Sequence, residues 1–208
     1  MSAVIHPQPT LTGPVPRLWS RDEYYRMAEA GILKPDERVE LIDGEVIQKV
    51  SPMRSPHATG IGKACEALDR AYRDNAFVRV QLPLAIAQTS EPEPDLAVVR
   101  GTPDDYGADH PGPADVLLVV EVADTSLAFD RTTKRILYGA AGIVEYWIVN
   151  LAARTLEVYR LTTEQGYAEV TPYDETQLVA ALTAPESPVP VADLLPKHRT
   201  NTTERETQ

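Results

Sequence analysis

Apolar side chains recur along this chain in two rhythms, and the switches between them set out its elements. Residues 37–50 alternate apolar and polar about Asp43-Gly44, a dipeptide preferred in two-residue turns, so a β-hairpin is predicted there. Over residues 57–73, Ile61, Ala64, Cys65, Leu68 and Tyr72 fall at helical spacing and make one buried stripe. Residues 77–86 return to alternation, with Pro83 placing that strand at an edge or a bulge. Two nearly unbroken apolar runs, 95–99 and 116–122, read as strands buried on both faces. A second helix is predicted over 130–141, stopping at Gly142, followed by a strand pair at 144–150 and 156–161. One or two short strands are predicted beyond it, around 167–173 and 177–182. Upstream, Ser20-Arg-Asp-Glu23 is a capping box that opens a short helix through Ala30, with Gly31 as its stop. The order is a hairpin appendage, then α-β-β-β-α-β, then a β extension, all within one α/β domain over residues 18–195. Residues 1–17, with Pro7, Pro9, Pro14 and Pro16, read as a flexible arm, and the polar residues 196–208 as a disordered tail.

Composition narrows the setting. At 208 residues and 43% hydrophobic, the chain is long enough for one domain with a sizeable core. A single cysteine, Cys65, excludes an intramolecular disulfide and suits a reducing compartment. No apolar stretch approaches the ~20 residues that cross a bilayer, and no secretory signal is visible, so a cytoplasmic protein without a membrane partner is expected. Charge complicates the choice of partner. Residues 1–90 carry 11 basic and 11 acidic side chains, and the remainder carries 9 and 20, which is the whole net charge of −11. Nucleic-acid binders usually present basic surface. Here it could be assembled from Lys49, Arg54, Lys63, Arg70, Arg73 and Arg79, although a solvated surface of mixed sign explains them equally well.

The candidate chemistry sits where charge interrupts the apolar runs. Glu121 closes the 116–122 run and Asp95 heads the other, while Lys134 follows in the second helix. A carboxylate inside a buried strand needs a partner, because an isolated buried charge is very costly. Two on neighbouring strands, with a lysine nearby, suggest a divalent metal and a phosphate to be cut. The plainer accounts are a loop-to-strand aspartate for Asp95, a core ion pair for Glu121, and an Asp130–Lys134 surface pair for Lys134. His57, at a predicted helix N-terminus, could touch a phosphate or be an ordinary residue near a cap. Glu45, after the hairpin turn, faces either the site or solvent. Gln81, opposite the apolar alternation, is a weaker substrate-binding candidate. Tyr146 and Trp147 read as core or dimer contacts, and no nucleophile elbow or phosphate-binding glycine loop is present.

Taken in order, Glu40-Leu-Ile-Asp-Gly-Glu45, Ser51-Pro52 with His57, Pro94-Asp95, Val120-Glu121-Val122, Asp130 through Lys134 to Tyr138, and Gly142 through Val149 resemble the Uma-type restriction endonucleases of the PD-(D/E)XK nuclease superfamily. The resemblance covers roughly residues 18–165. It implies a restriction-endonuclease-like core with a mixed central sheet flanked by helices, and Mg²⁺-dependent (Mn²⁺ as a substitute) hydrolysis of phosphodiesters, DNA before RNA. It also implies metal ligation by Asp95, Glu121 and the Val122 carbonyl; a homodimer is expected separately, from apolar surface on the Tyr146–Val149 strand and the β extension. The superfamily lysine two residues after the glutamate is Ala123 here, and Lys134 would restore it from the helix. The rival readings are a catalytically silent dimerising or partner-binding module on the same fold, and a metal-dependent hydrolase of a small phosphoester.

Overall fold

In a computed structural model of the chain, residues 13–49, 54–73 and 76–197 are described. Helix α1 (Arg21–Glu29) begins at the expected capping box, in which Ser20 and Glu23 satisfy each other's backbone amides. Hairpin β1 (Val39–Ile42) and β2 (Glu45–Gln48) turns through Asp43 and Gly44, both at positive φ as such a turn requires. Helix α2 (Ser55–Tyr72) precedes β3 (Ala76–Val80), β4 (Leu96–Arg100) and β5 (Val116–Ala123). A helical crossover leads to β6 (Glu145–Asn150), β7 (Thr155–Thr163) and β8 (Gly166–Asp174). These six strands form one sheet in the order β3-β4-β5-β6-β7-β8. Every neighbouring pair is antiparallel except β5 and β6, which the helical crossover makes parallel. The α-β-β-β-α-β order thus runs from α2 to β6. A separate hairpin, β9 (Leu178–Ala181) and β10 (Ala184–Pro190), follows.

The period of two along each strand divides the core into layers. Val98, Leu118, Val120 and Trp147 point to one face, packing on Ile61, Ala64 and Leu68 of α2 and on the β9–β10 hairpin. Val99, Val119, Tyr146 and Ile148 point to the other, packing on Leu137, Tyr138 and the hairpin residue Ile42. Glu121 has the parity of Val119 and Ala123, and Asp95 that of Ala97. Both carboxylates therefore fall on the second face, beneath the crossover helix.

Several expectations are revised. The strand expected over 77–86 ends at Val80, because Gln81 takes φ +49° and Pro83 follows, and neither continues a ladder. The second helix starts earlier than expected: α3 (Leu127–Phe129) passes through a π turn (Asp130–Lys134) into α4 (Arg135–Ala140). The β extension is longer than expected, since β8 joins the main sheet and β9–β10 pair with each other. Tyr146 through Val149, read in part as a dimer contact, are wholly buried inside the chain between β5 and β7. Residues 1–12 of the expected arm, Ser51-Pro52, and residues 198–208 of the expected tail lie outside the described residues.

One close approach seats α2 on the first face of β5, so that its N-terminal turn reaches the end of the sheet beside Asp95. A Cβ placed on Gly60 would stand 2.8 Å from Val122 Cγ1 and 3.3 Å from Leu151, whereas one on Gly62 would meet nothing within 4 Å. Gly60→Ala is therefore expected to lower stability by about 1–3 kcal/mol through overpacking. Gly62→Ala, in the same helix but in open space, should be neutral or stabilising by about 0.5–1 kcal/mol. Urea unfolding of the two variants checks both, and equal effects would remove the contact as the cause.

Candidate active site

The second face carries an acidic cluster under a cavity of about 370 Å³, lined among others by Glu40, His57, Asp95, Glu121, Asp130 and Lys134. Asp95 and Glu121 meet because β4 and β5 are adjacent, with Leu96 opposite Val120. The Asp95 amide donates to Glu121 Oε2 at 3.2 Å, and the Val122 amide donates to Asp95 Oδ2 at 2.9 Å. Asp95 Oδ1 accepts from Gln81 Nε2 at 3.2 Å and lies 3.2 Å from His57 Nε2. Gln81 can reach inward because its positive φ turns the chain at the end of β3. His57 arrives one turn before Gly60, on the part of α2 held close to β5.

Lys134 comes from the π turn, the kind of local bulge that recurs at functional sites. Its ammonium donates to Glu40 Oε2 at 2.5 Å and lies 3.5 Å from Glu121 Oε1. Tyr138, one turn further on, donates its hydroxyl to the same Glu121 oxygen at 2.9 Å. Glu40 is fixed in turn by the Glu93 amide at 3.0 Å. An Asp130–Lys134 surface pair is ruled out: both are buried, and Asp130 instead takes the Ser126 hydroxyl at 2.6 Å.

The electrostatics follow from one ammonium among several buried acids. Burial pushes Glu121 up to about 8, with Lys134 only partly offsetting it and Asp95 adding to the rise. Burial likewise carries Asp130 to about 6 against the pull of Ser126 and Lys134. Burial would raise Asp95 too, but the His57 contact and the Val122 amide outweigh it, so Asp95 stays below its ordinary range. His57 is raised by its bond to Asp95. Burial alone would lower Lys134, yet Glu121 and Glu40 hold it above its usual value, so it is a firm ammonium and a poor base. In the metal-free protein the surroundings thus favour the ionised form of Asp95 and push Glu121 toward its protonated form.

This arrangement suits a hard divalent cation. The donors are carboxylate oxygens, and positive charge beside Glu121 would supply what Lys134, drawn toward Glu40, does not. Among the described residues no three Asp, Glu, His or Cys side chains converge as a metal cluster. An ion here would be held by few protein ligands and would keep several waters, as Mg²⁺ does.

The sequence-derived candidates Asp95, Glu121, Lys134, His57 and Gln81 are brought together, with the Val122 backbone beside them. Glu45 is not: it is exposed at the turn end of β2 and does not line the cavity. Glu40, across the same hairpin, holds the inward place instead. Glu40, Asp130 and Tyr138 had not been singled out, although Tyr138 is four residues from Lys134 on one helical face. Of the six basic residues considered for a surface, only Lys49 and Arg54 line the cavity. Arg79 is buried, with Pro83 O at 3.4 Å and His110 at 3.5 Å.

Protonation of these acids gives the metal-free protein a defined pH dependence. Glu121 and Asp130 titrate higher in the fold than in the unfolded chain, where such acids titrate near 4. The fold therefore binds more protons over that window, and stability falls as pH rises through about 6 and then about 8. Thermal unfolding in EDTA should show this decline, and Glu121→Gln should flatten its upper part. A parent profile that is flat or rising between pH 6 and 8 would refute the assignment.

The site can be set beside known proteins. No curated protein matches the chain. A crystal structure described as a "putative nuclease belonging to DUF820" from Anabaena variabilis ATCC 29413 superimposes with a TM-score of 0.66 at 19% identity, covering 84% of this chain and 96% of that one. That likeness establishes a shared restriction-endonuclease-like fold. The model of the Uma2 family, described as "putative restriction endonuclease", matches residues 21–192, a span that includes every element lining the cavity, and the chain belongs to that family.

Proposed function

We propose that this chain is a PD-(D/E)XK-type endonuclease that hydrolyses DNA phosphodiester bonds with Mg²⁺, or Mn²⁺ in its place, and works in the cytoplasm. The observation that carries the reading is the buried set of Asp95, Glu121 and Lys134 at the base of one cavity, with the ammonium 3.5 Å from Glu121. Asp95 and Glu121 hold the ion, joined by the Val122 carbonyl. When bound, the ion polarises the phosphoryl oxygen and acidifies the attacking water. His57 and Gln81, both on Asp95 Oδ1, orient that carboxylate, and His57, which lines the cavity, is placed to meet a phosphate. Lys134, already charged, cannot take the proton of the water. It orients the water and stabilises negative charge developing on the phosphorus oxygens. Ala123 shares the Glu121 face and is buried there, so Lys134 from the crossover helix supplies the cation that residue 123 lacks.

A homodimer is part of the proposal, formed along the β8 edge, where Val170 is 54% exposed and Leu161 beside it 58%. Unpaired edge strands are ready sites for pairing with another chain. Light scattering at concentrations on the order of tens of micromolar should give twice the chain mass, and a monomer there would remove the dimer without touching the chemistry.

The chemistry is tested on plasmid and single-stranded DNA. The parent should cut with Mg²⁺ and stop with EDTA, and Mg²⁺ should raise its melting temperature because only the folded state binds the ion. Asp95→Ala and Glu121→Ala should lose both effects. Lys134→Ala should lose on the order of 10²-fold or more in rate while keeping the metal-induced stabilisation. If Lys134→Ala cuts as fast as the parent, Lys134 is only a structural partner of Glu40. If the parent neither cuts nor responds to metal, the silent-module reading replaces this one.

A further inference from the structure

The cavity over the acids is lopsided in charge. Arg38, Lys49, Arg54 and His57 line it on the side built by the β1–β2 hairpin and the start of α2, whereas Asp124 and Asp130 line it on the side of the crossover, with Glu40 of the hairpin and Lys134 of the crossover paired to each other between them. Arg38 and Lys49 are brought together at the open end of the hairpin, where the Lys49 amide donates to the Arg38 carbonyl at 2.8 Å. Arg54 is the N-cap residue of α2, and among the described residues no side chain caps that helix end. The Lys49 ammonium is tethered to the Glu93 carbonyl at 2.9 Å. Elsewhere Arg21, Arg70, Arg131, Arg154 and Arg160 each sit against a carboxylate. Arg38 and Arg54 are exposed and, among the described residues, neither forms a salt bridge, Arg38 acting on Glu93 only through its field. In a chain of net charge −11, cations without a salt bridge at the rim of a cavity are free to take an anionic ligand.

We propose that Arg38, Lys49 and Arg54 form the wall along which the sugar–phosphate backbone of a DNA strand lies, delivering one phosphate to Asp95 and Glu121 from that side only. This rests on the nuclease reading above and adds which face grips the substrate. Lys49, tethered nearest the acids, neutralises the phosphate next to the scissile one. Arg38 and Arg54, at the outer rim, hold its neighbours. The contacts are to phosphate, so the wall positions the strand and carries no sequence preference.

Binding is measured by anisotropy of a labelled oligonucleotide over a salt series, in a Glu121→Gln background so that no cutting intervenes. Each phosphate contact contributes about 0.7–0.9 to the slope of log K against log salt. Arg38→Ala with Arg54→Ala should lower that slope by about 1.4–1.8 and weaken binding alike for unrelated sequences. Arg38→Lys with Arg54→Lys should restore most of it, since a point charge still serves a phosphate. Arg70→Ala with Arg100→Ala removes equal charge away from the cavity, Arg100 lying at the far end of β4 from Asp95, and should leave the slope unchanged. An unchanged slope in the Arg38/Arg54 variant, or an equal drop in the control, overturns the wall while parent cleavage with Mg²⁺ leaves the nuclease reading in place. A parent that neither binds nor cuts DNA overturns both.

Discussion

Everything around the cavity is arranged about one ammonium in a place where water cannot screen it. Lys134 reaches two carboxylates and lies closer to Glu40, at 2.5 Å, than to Glu121, at 3.5 Å. Removing one partner of such a buried pair typically costs about 3–5 kcal/mol, because a charge is then left alone. Glu40 therefore keeps the lysine charged, and the remaining deficit falls on Glu121, which holds a proton to about 8. The site formed by these side chains alone is electrostatically incomplete. A divalent ion would exchange for that proton, which links metal affinity to pH as well as to geometry.

Three pieces of backbone make this sharing possible. The parallel pairing of β5 with β6 requires a crossover, and the crossover lays a helix over the face that Glu121 occupies. The π turn at Asp130–Lys134 lets that helix present both residues inward. On the other side, the missing side chain at Gly60 allows α2 to approach Val122, and His57 follows it to Asp95. Asp95 and Glu121, though bonded through one amide, are shifted in opposite directions: one downward by an imidazole and amides, the other upward by burial. Paired acids whose environments drive them apart are a common arrangement in sites that perform acid–base or metal chemistry.

The central elements and the two strand carboxylates were legible because a charge inside an apolar run is a local signal. The same signal did not separate function from scaffold. Glu145 also lies in a buried strand, but the Trp147 indole, the Arg160 guanidinium and the Leu182 amide occupy its oxygens. Only the identity of the partners distinguishes it from Glu121, and partners depend on register. Glu40 was hidden for that reason: choosing it over Glu45 requires knowing how the hairpin is seated, since both belong to one alternating stretch. The π turn left no trace because one extra residue per turn does not disturb an apolar stripe so short. The early end of β3 was hidden by alternation that runs on through Leu82 and Leu84, although the ladder stops when Gln81 turns to positive φ.

The acidic net charge, which at first argued against a nucleic-acid substrate, becomes consistent with one when its distribution is considered. Long-range repulsion between a polyanion and this surface is screened beyond about 8–10 Å at ordinary ionic strength. Contacts within the cavity are shorter than that, and its exposed cations lie on the hairpin side, Lys134 on the crossover side being taken up by Glu40. A surface of this kind would bind weakly at a distance and would hold a strand only where its backbone seats on the proposed wall of Arg38, Lys49 and Arg54. Acids on the opposite wall repel a phosphate that strays across the cavity, which confines it to the point above Asp95 and Glu121. Attraction at one wall and repulsion at the other would place the scissile phosphate more sharply than a uniformly basic groove, at the expense of general affinity for nucleic acid.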